Sequence, residues 1–215
     1  MSKYKLVLFD MDGTLLKDRG IFVIAEKKGF LDDLIRYIRD NSMEYYERSI
    51  KIANMLKGKK QSEFLKIFRG IPFNKNVEHV IAELKNRGII TAIATDSYTF
   101  LVKDVKNRLG IDYAFGNDLI VDNDIITGEL EIHNKELAKD FSGNSIYSIC
   151  KSSVLDQLCG ELGIYVGEAV AIGDGIVDIG MIKKAGLGIA YKGSDKVKKS
   201  ADVKINDMKK LLEYI

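Results

Sequence analysis

The sequence predicts an α/β fold: a parallel β-sheet sandwiched by helices, with a small helical cap inserted after the first strand. Short runs rich in Val, Ile and Leu recur along the chain and have the length of buried strands, at residues 5–9, 89–94, 169–172, 187–190 and 203–205. Helical patterns separate most of them, which is typical of right-handed βαβ units. Residues 20–70 break this rhythm and carry no strand pattern.

Three core helices are predicted by apolar residues at helical spacing, each ending just before a glycine. They cover residues 76–87, 98–109 and 152–162, and the glycines are Gly88, Gly110 and Gly163. Glycine just past the last apolar position is a helix stop signal. Residues 119–132 alternate around Asn123-Asp124 and Thr127-Gly128, which predicts a β-hairpin.

Residues 20–70 contain three amphipathic patterns, at 30–38, 43–53 and 64–68. An all-helical stretch between the first and second strands predicts a cap over the carboxyl ends of the sheet, and a set of ordinary peripheral helices stays open as the alternative. We therefore expect a core domain of residues 1–16 and 74–215 and a cap domain of residues 17–73.

Composition excludes several classes of function. The chain has 215 residues, a formal charge of +2 and 46% hydrophobic residues, as expected of one globular domain with a small insert. The low charge argues against a nucleic-acid partner, and no apolar run approaches the roughly 20 residues that span a membrane. Cys150 and Cys159 lack zinc or redox spacing, which favours a reducing, cytoplasmic location. A homodimer stays open.

The most informative motif is DMDGT at residues 10–14, directly after the apolar run of the first strand. If extended geometry continues, Asp10 and Asp12 point the same way. Two neighbouring carboxylates repel each other unless a cation lies between them, and Mg²⁺ suits oxygen ligands. Gly13 permits a sharp turn. A solvated turn is the alternative, and a calcium-binding EF-hand is disfavoured because Leu15-Leu16 follows.

Three further polar features fall near strand or helix ends: Thr95-Asp96-Ser97, Lys151, and GDGIVD at residues 173–178. The hydroxyl of Thr95 can donate to a phosphate oxygen, and Lys151 can neutralise a phosphate or answer a local carboxylate. Asp174 and Asp178 can bind a metal or cap the helix expected near Ile176. Because ligands bind outside the carboxyl ends of parallel strands, we expect all of these features in one crevice.

These four motifs, in this order, resemble the haloacid dehalogenase superfamily of phosphohydrolases, and the phosphoserine phosphatase group is its most similar branch. The resemblance covers the whole core and implies a Rossmann-like sheet and a helical cap. It also implies an Mg²⁺-dependent phosphomonoesterase in which Asp10 forms an aspartyl-phosphate and Asp12 is the general acid and base.

The resemblance also assigns ligands. Mg²⁺ would be bound by Asp10, the backbone carbonyl of Asp12 and Asp174, with Asp178 supporting the metal site. The phosphate-binding residues would be Thr95, Asp96 and Lys151, with Thr95 and Lys151 on the equatorial oxygens.

The cap departs from the phosphoserine phosphatase pattern. Arg19 stands where that group has an acidic residue that recognises the substrate, and Ala53 stands where it has an arginine that binds the substrate carboxylate. Arg48 could replace that arginine only if the helix is shifted. Asp96 either caps the following helix or contacts a cationic substrate group. Arg19 either pairs with Asp18 or solvent, or selects a second acidic group.

The sequence therefore predicts a phosphatase of a small soluble phosphate ester, with Arg19 and Ser97 as further candidates for substrate specificity. Phosphoserine phosphatase proper is the alternative within this enzyme class. A non-catalytic module that binds a phosphorylated ligand is the alternative from another class.

Overall fold

The computed structural model describes residues 3–143 and 145–215, and seven of its strands form one sheet in the order β4-β3-β2-β1-β5-β6-β7. The strands are β1 (Leu6–Phe9), β2 (Ile90–Tyr98), β3 (Tyr113–Asp122), β4 (Ile125–Glu131), β5 (Ala169–Gly173), β6 (Leu187–Tyr191) and β7 (Val203–Ile205). Neighbouring strands are parallel except for β3 and β4. The predicted α/β class is confirmed.

Helices cover both faces of the sheet. They are α1 (Gly20–Lys28), α2 (Leu31–Arg39), α3 (Tyr45–Met55), α4 (Gln61–Phe68), α5 (Val77–Asn86), α6 (Thr99–Leu109), α7 (Lys151–Leu162), α8 (Ile179–Lys184) and α9 (Asp195–Ser200). In β1, Leu6 and Leu8 belong to the apolar cluster that includes α7, whereas Val7 and Phe9 belong to the cluster that includes α5 and α6. The continuous apolar run in β1 therefore reflects burial on both faces.

The predicted hairpin is present as the β3–β4 pair. Its turn residues, Asn123 and Asp124, have φ values of 47° and 71°, the left-handed conformation that two-residue hairpin turns require. The sequence missed the first half of β3, which begins at Tyr113 and pairs in parallel with β2 before the second half pairs with β4. β3 thus pairs with two neighbouring strands, and only the half that pairs with β4 carries an alternating pattern of apolar and polar residues.

Between β1 and β2 the chain forms four helices, α1 to α4, where the sequence predicted three. The missed helix is α1, whose apolar residues Ile21 to Ala25 are consecutive and do not repeat on one side. A consecutive run of this kind does not distinguish a buried helix from a strand. The domain boundaries at residues 17 and 73 stay a prediction.

The helix expected near Ile176 begins later. Residues Ile176–Asp178 form a single 3₁₀ turn, and α8 starts at Ile179. Among the described residues, no helix has the length and apolarity needed to cross a membrane.

Candidate active site

A cavity of about 740 Å³ lies where the ends of β1, β2 and β5 face the helices inserted after β1. The strand ends and the loops that follow contribute polar groups, and α1 to α3 contribute a mixed wall. The charged side chains that line it are Asp10, Asp12, Arg19, Arg39, Arg48, Asp96, Asp174 and Asp178. A cavity with a few convergent polar groups at this edge of a parallel sheet is where a ligand is expected.

At the floor of the cavity, Asp10 is held by Lys151. The Lys151 ammonium donates to Asp10 Oδ1 over 2.5 Å and to Asp178 Oδ1 over 2.6 Å. All three residues are buried. Since a buried charge is costly unless it is paired, this cation between two carboxylates fixes the position of Asp10.

The electrostatics of this group are strongly perturbed. Burial raises the pKa of Asp10 well above its usual value, the negative charge of Asp178 adds to the rise, and Lys151 opposes it. Burial by itself would lower the pKa of Lys151, but Asp10 and Asp178 outweigh that effect and raise it. Lys151 is therefore a permanent cation, and Asp10 needs that cation to stay ionised.

Asp178 organises the loop after β5. Its Oδ2 accepts hydrogen bonds from the backbone N–H groups of Asp174, at 3.1 Å, and Gly175, at 2.8 Å. A Cβ at Gly173 would lie 2.4 Å from Asp178 Cγ, so this close approach requires glycine. The alternative that Asp174 caps a helix is wrong, because its Oδ1 accepts from the Thr14 hydroxyl at 2.9 Å instead.

Asp10, Asp174 and Asp178 could hold a metal ion. Each offers a carboxylate oxygen, and these oxygens lie within 4.8 Å of one another. Burial raises the pKa of Asp174, and repulsion from Asp178 adds to the rise. Three hard oxygen donors whose negative charge the single Lys151 offsets only in part fit a divalent cation. The side chain of Asp12 is not in this group, so a role in metal binding would fall to its backbone carbonyl.

Gly13 lets Asp174 approach the first motif. Its φ is +92°, and a Cβ there would lie 2.6 Å from Asp174 Oδ2. The turn between Asp12 and Thr14 therefore needs a residue without a side chain, both for its backbone angle and for space.

Asp12 is tied to the inserted helices. Its Oδ1 accepts from the backbone N–H of Gly20, the first residue of α1, over 2.7 Å. Burial raises the pKa of Asp12 to about 7, with repulsion from Asp96 adding to the rise and the Gly20 hydrogen bond opposing it. A carboxyl group with such a pKa can both donate and accept a proton near neutral pH.

The carboxyl end of β2 brings Asp96 and Ser97 into the cavity wall, whereas Thr95 in the same strand is fully buried. The Thr95 hydroxyl accepts from the backbone N–H of Ser97 over 3.2 Å, and its role as a phosphate ligand stays a prediction. The alternative that Asp96 caps α6 is wrong, because the N-cap residue is Tyr98 and no side chain caps that helix. Asp96 is instead exposed to the cavity.

The structure distinguishes the candidates in the inserted helices. Arg19 lines the cavity, and a methyl group at Gly175 would lie 3.8 Å from its Nη2. Ala53 is fully buried in the apolar core, so it faces away from the cavity. Arg48 lines the cavity and donates to the backbone carbonyls of Ile38 and Met43 over 2.9–3.2 Å. Arg48, rather than Ala53, therefore lies on the cavity side of α3, and its role toward a ligand stays a prediction.

Sequence reasoning missed most of the α3 wall, of which it named only Arg48 as a candidate. Tyr45, Arg48, Ser49 and Ile52 line the cavity from one side of α3. Their spacing of three and four residues places them on one side of a helix, but their mixed polarity gives no hydrophobic period that could have marked that side. Arg39 of α2 also lines the cavity, and no motif pointed to it.

Comparisons with known proteins agree with this site. A family model described as haloacid dehalogenase-like hydrolase matches residues 7–183. The phosphoserine phosphatase of Methanocaldococcus jannaschii is 34% identical, with the alignment covering 100% of this chain and 99% of that protein. The phosphoserine phosphatase of Polaromonas sp. is 28% identical, covering 100% of this chain and 91% of that one.

Among solved structures, a phospho-aspartyl intermediate analogue of phosphoserine phosphatase superposes with a TM-score of 0.84 at 32% identity, over the whole of both chains. Full-length similarity of this kind includes the inserted helices as well as the sheet. The chain therefore belongs to the haloacid dehalogenase-like hydrolases, and within them it is a phosphatase of the phosphoserine phosphatase-like branch.

Proposed function

We propose that this phosphatase hydrolyses a small soluble phosphate monoester with Mg²⁺ as its metal and Asp10 as its nucleophile. The observation that carries the proposal is the position of Asp10. It lies at the end of β1, paired with Lys151 over 2.5 Å, and one of its oxygens is within 4.8 Å of the carboxylates of Asp174 and Asp178. Because the Lys151 cation attracts the phosphoryl oxygens, the buried carboxylate of Asp10 beside it can approach the phosphorus atom.

In the proposed first step, a carboxylate oxygen of Asp10 forms a bond to phosphorus while the bond to the ester oxygen breaks. Asp12 gives its proton to the departing oxygen, and the raised pKa of about 7 supports this role. In the second step, Asp12 takes a proton from a water molecule that attacks the phosphorus, which frees Asp10 and inorganic phosphate. The proton lost in the first step is thereby regained.

Lys151 is the proposed partner of the phosphoryl oxygens, together with Thr95 and Asp96 at the end of β2. The oxygens of Asp10 and Asp174, with the Asp12 carbonyl, would hold Mg²⁺. Asp178 would position the metal loop, since its own oxygens are used by Lys151 and by two backbone N–H groups. When bound, the cation supplies charge that offsets repulsion between the nucleophile and the phosphoryl group.

The helices of residues 17–73 are proposed to act as a cap that selects the substrate. Arg19, Arg39 and Arg48 face the cavity from this side, and Asp96 faces it from the sheet side. Charges of both signs support a substrate that carries a charged group besides its phosphate. The reducing cytoplasm is the proposed location, which the free, buried Cys150 and Cys159 support.

Phosphoserine is a second candidate substrate. It is the substrate named for the curated relatives, and its carboxylate and ammonium groups would find partners in Arg48 and Asp96. Arg19 argues against it, because a cation stands where the relatives' pattern has an acidic residue. Ser97 lines the same wall and is a further candidate for specificity.

The test is release of phosphate from p-nitrophenyl phosphate by the purified protein, with Mg²⁺ and with a chelator. Asp10→Asn should abolish turnover, whereas Asp32→Asn, on the exposed side of α2, should leave it unchanged. Turnover that survives Asp10→Asn would refute the proposed nucleophile. No turnover by the wild-type protein on this ester or on a panel of phosphorylated metabolites would favour a non-catalytic binding module. Within the panel, inert phosphoserine beside active esters would exclude the second candidate.

A further inference from the structure

A fully buried asparagine outside the four motifs contacts two parts of the cavity wall. Asn117 lies in β3 at the point where the parallel pairing with β2 ends and the pairing with β4 follows. Its Nδ2 donates to the backbone carbonyl of Asp96 over 2.8 Å and to the Ser148 hydroxyl over 3.0 Å. Its Oδ1 accepts from the backbone N–H of His133 over 3.0 Å. The amide group therefore has a single orientation that satisfies all of its partners.

The first contact fixes the carboxyl end of β2. The peptide that joins Asp96 to Ser97 is held on both sides, since Asn117 binds its carbonyl and the Thr95 hydroxyl accepts from its N–H. Asp96 and Ser97 both line the cavity. The orientation of this peptide therefore sets how the end of β2 faces the ligand.

The second contact reaches the inserted helices. Ser148 is buried, lines the cavity and precedes Lys151 on the same segment of chain. The hydroxyl of Ser49, in α3, donates to the Ser148 hydroxyl over 3.2 Å. Asn117, Ser148 and Ser49 therefore form a continuous link from the carboxyl end of β2 to α3.

The same seam carries further contacts. The backbone N–H of Tyr46 donates to the carbonyl of Ile146 over 3.1 Å, and the rings of Tyr45 and Tyr147 lie 4.6 Å apart. Helix α3 is thus docked on residues 146–148 by backbone, hydroxyl and ring contacts together. Any displacement of α3 would act on Ser148 and, through it, on Asn117.

We propose that Asn117 is a positioning residue for the phosphatase reaction, and that Ser148 and Ser49 connect it to the docked cap. The inference rests on the proposed function. In it, Asn117 does not touch the substrate. It holds the Asp96–Ser97 peptide and the segment leading to Lys151 in the arrangement that they have when α3 is docked on residues 146–148.

The test compares four variants by steady-state kinetics on p-nitrophenyl phosphate. Asn117→Asp keeps the shape but removes both N–H donors, so we expect kcat to fall about 10- to 100-fold with KM changed less than about 3-fold. Ser49→Ala should lower kcat about 3- to 10-fold, and Ser49→Thr, which keeps the hydroxyl, should restore it. Ser62→Ala, in α4 and bonded to Asp124 outside the cavity, is the matched control and should match the wild type.

A second readout does not depend on turnover. Hydrogen exchange of the Tyr46 backbone amide should become at least about 3-fold faster in Ser49→Ala and stay at the wild-type rate in Ser49→Thr and Ser62→Ala. Should Asn117→Asp not fold, Ser148→Ala, which removes the shared hydroxyl, is expected to show the same loss of kcat.

A wild-type kcat in Asn117→Asp would overturn the positioning role. If Asn117→Asp does not fold, a wild-type kcat in Ser148→Ala would overturn it. Wild-type kinetics and exchange in Ser49→Ala would overturn the link to the cap. A wild-type protein without turnover on p-nitrophenyl phosphate and on the panel of phosphorylated metabolites refutes the proposed function instead. The exchange rates of Ser49→Ala and Ser49→Thr still decide whether the Ser49 hydroxyl holds α3 in place.

Discussion

Replacing Lys151 with methionine tests the charge balance on which the site depends. The methionine keeps most of the unbranched stem of this fully buried side chain but removes the ammonium that lies 2.5 Å from Asp10 and 2.6 Å from Asp178. Removing one partner of a buried ion pair costs about 3–5 kcal/mol, because the remaining charge is left without compensation. For a chain of this size, that loss corresponds to a fall in Tm of about 6–20 °C.

The loss should depend on pH. Lys151 lowers the pKa of Asp10 against the effect of burial, so its removal raises that pKa further. When the pKa of a carboxyl group is higher in the folded protein than in the unfolded chain, the group stabilises the fold at pH values below its unfolded pKa. This stabilisation is lost as the pH rises through the folded pKa. The Tm difference between wild type and Lys151→Met should therefore be smaller at pH 5 than at pH 8, as measured by calorimetry in buffer with a chelator.

Two further variants separate charge from packing. In Lys184→Met, the lost partner is Asp156 at the surface, so Tm should change by less than about 4 °C. In the double variant Asp10→Asn with Lys151→Met, one unpaired carboxylate is gone, and part of the stability should return. A double variant that loses the sum of both single effects would refute the charge argument, as would a Lys151→Met deficit that is equal at both pH values.

Three other substitutions give separate tests. Asp174→Asn should raise the Tm of the metal-free protein by about 2–4 °C, because it removes a carboxylate whose repulsion destabilises the fold by about 1 kcal/mol. Calorimetry should then find no further rise in Tm when Mg²⁺ is added. An unchanged metal response would contradict the proposed ligand. Gly13→Ala should lose most phosphatase activity, since its φ of +92° and a contact of 2.6 Å with Asp174 Oδ2 leave no room for a methyl group; wild-type kcat would contradict this. Arg48→Met should raise KM about 10-fold for esters with a second acidic group and leave kcat nearly unchanged, with Arg36→Met at the exposed side of α2 as the control.

The sequence predicted the sheet and the convergence of Asp10, Lys151, Asp174 and Asp178 because these follow from local signals. Buried strands are continuous apolar runs, and polar residues at their carboxyl ends meet at one edge. The structure brings these four side chains together. It also corrects two helix-capping alternatives, those of Asp96 and Asp174. Each depends on the residue at which a helix starts, and the sequence does not determine that residue to within one or two positions.

The inserted helices were harder to predict for a different physical reason. The amphipathic pattern at residues 43–53 predicts one buried side of α3. On α3, Ala53 is fully buried, whereas Ile50 is 39% exposed. A second side of α3, which faces the cavity, is mixed in polarity and gives no hydrophobic period. Its orientation is set by contacts with residues 146–148, about a hundred positions away.

This difference suggests how specificity and chemistry are divided in the molecule. The carboxylates of Asp10 and Asp12 accept hydrogen bonds from Lys151 and Gly20, and that of Asp178 accepts from the loop after β5. The α3 wall is held instead by a few contacts across a seam, so wall residues outside those contacts, such as Arg48 and Ile52, can be altered without removing those bonds. Arg19 and Ala53, which depart from the phosphoserine phosphatase pattern, lie just before the inserted helices and within them. A change in substrate preference through such residues leaves the proposed nucleophile, Asp10, and its cation, Lys151, unchanged.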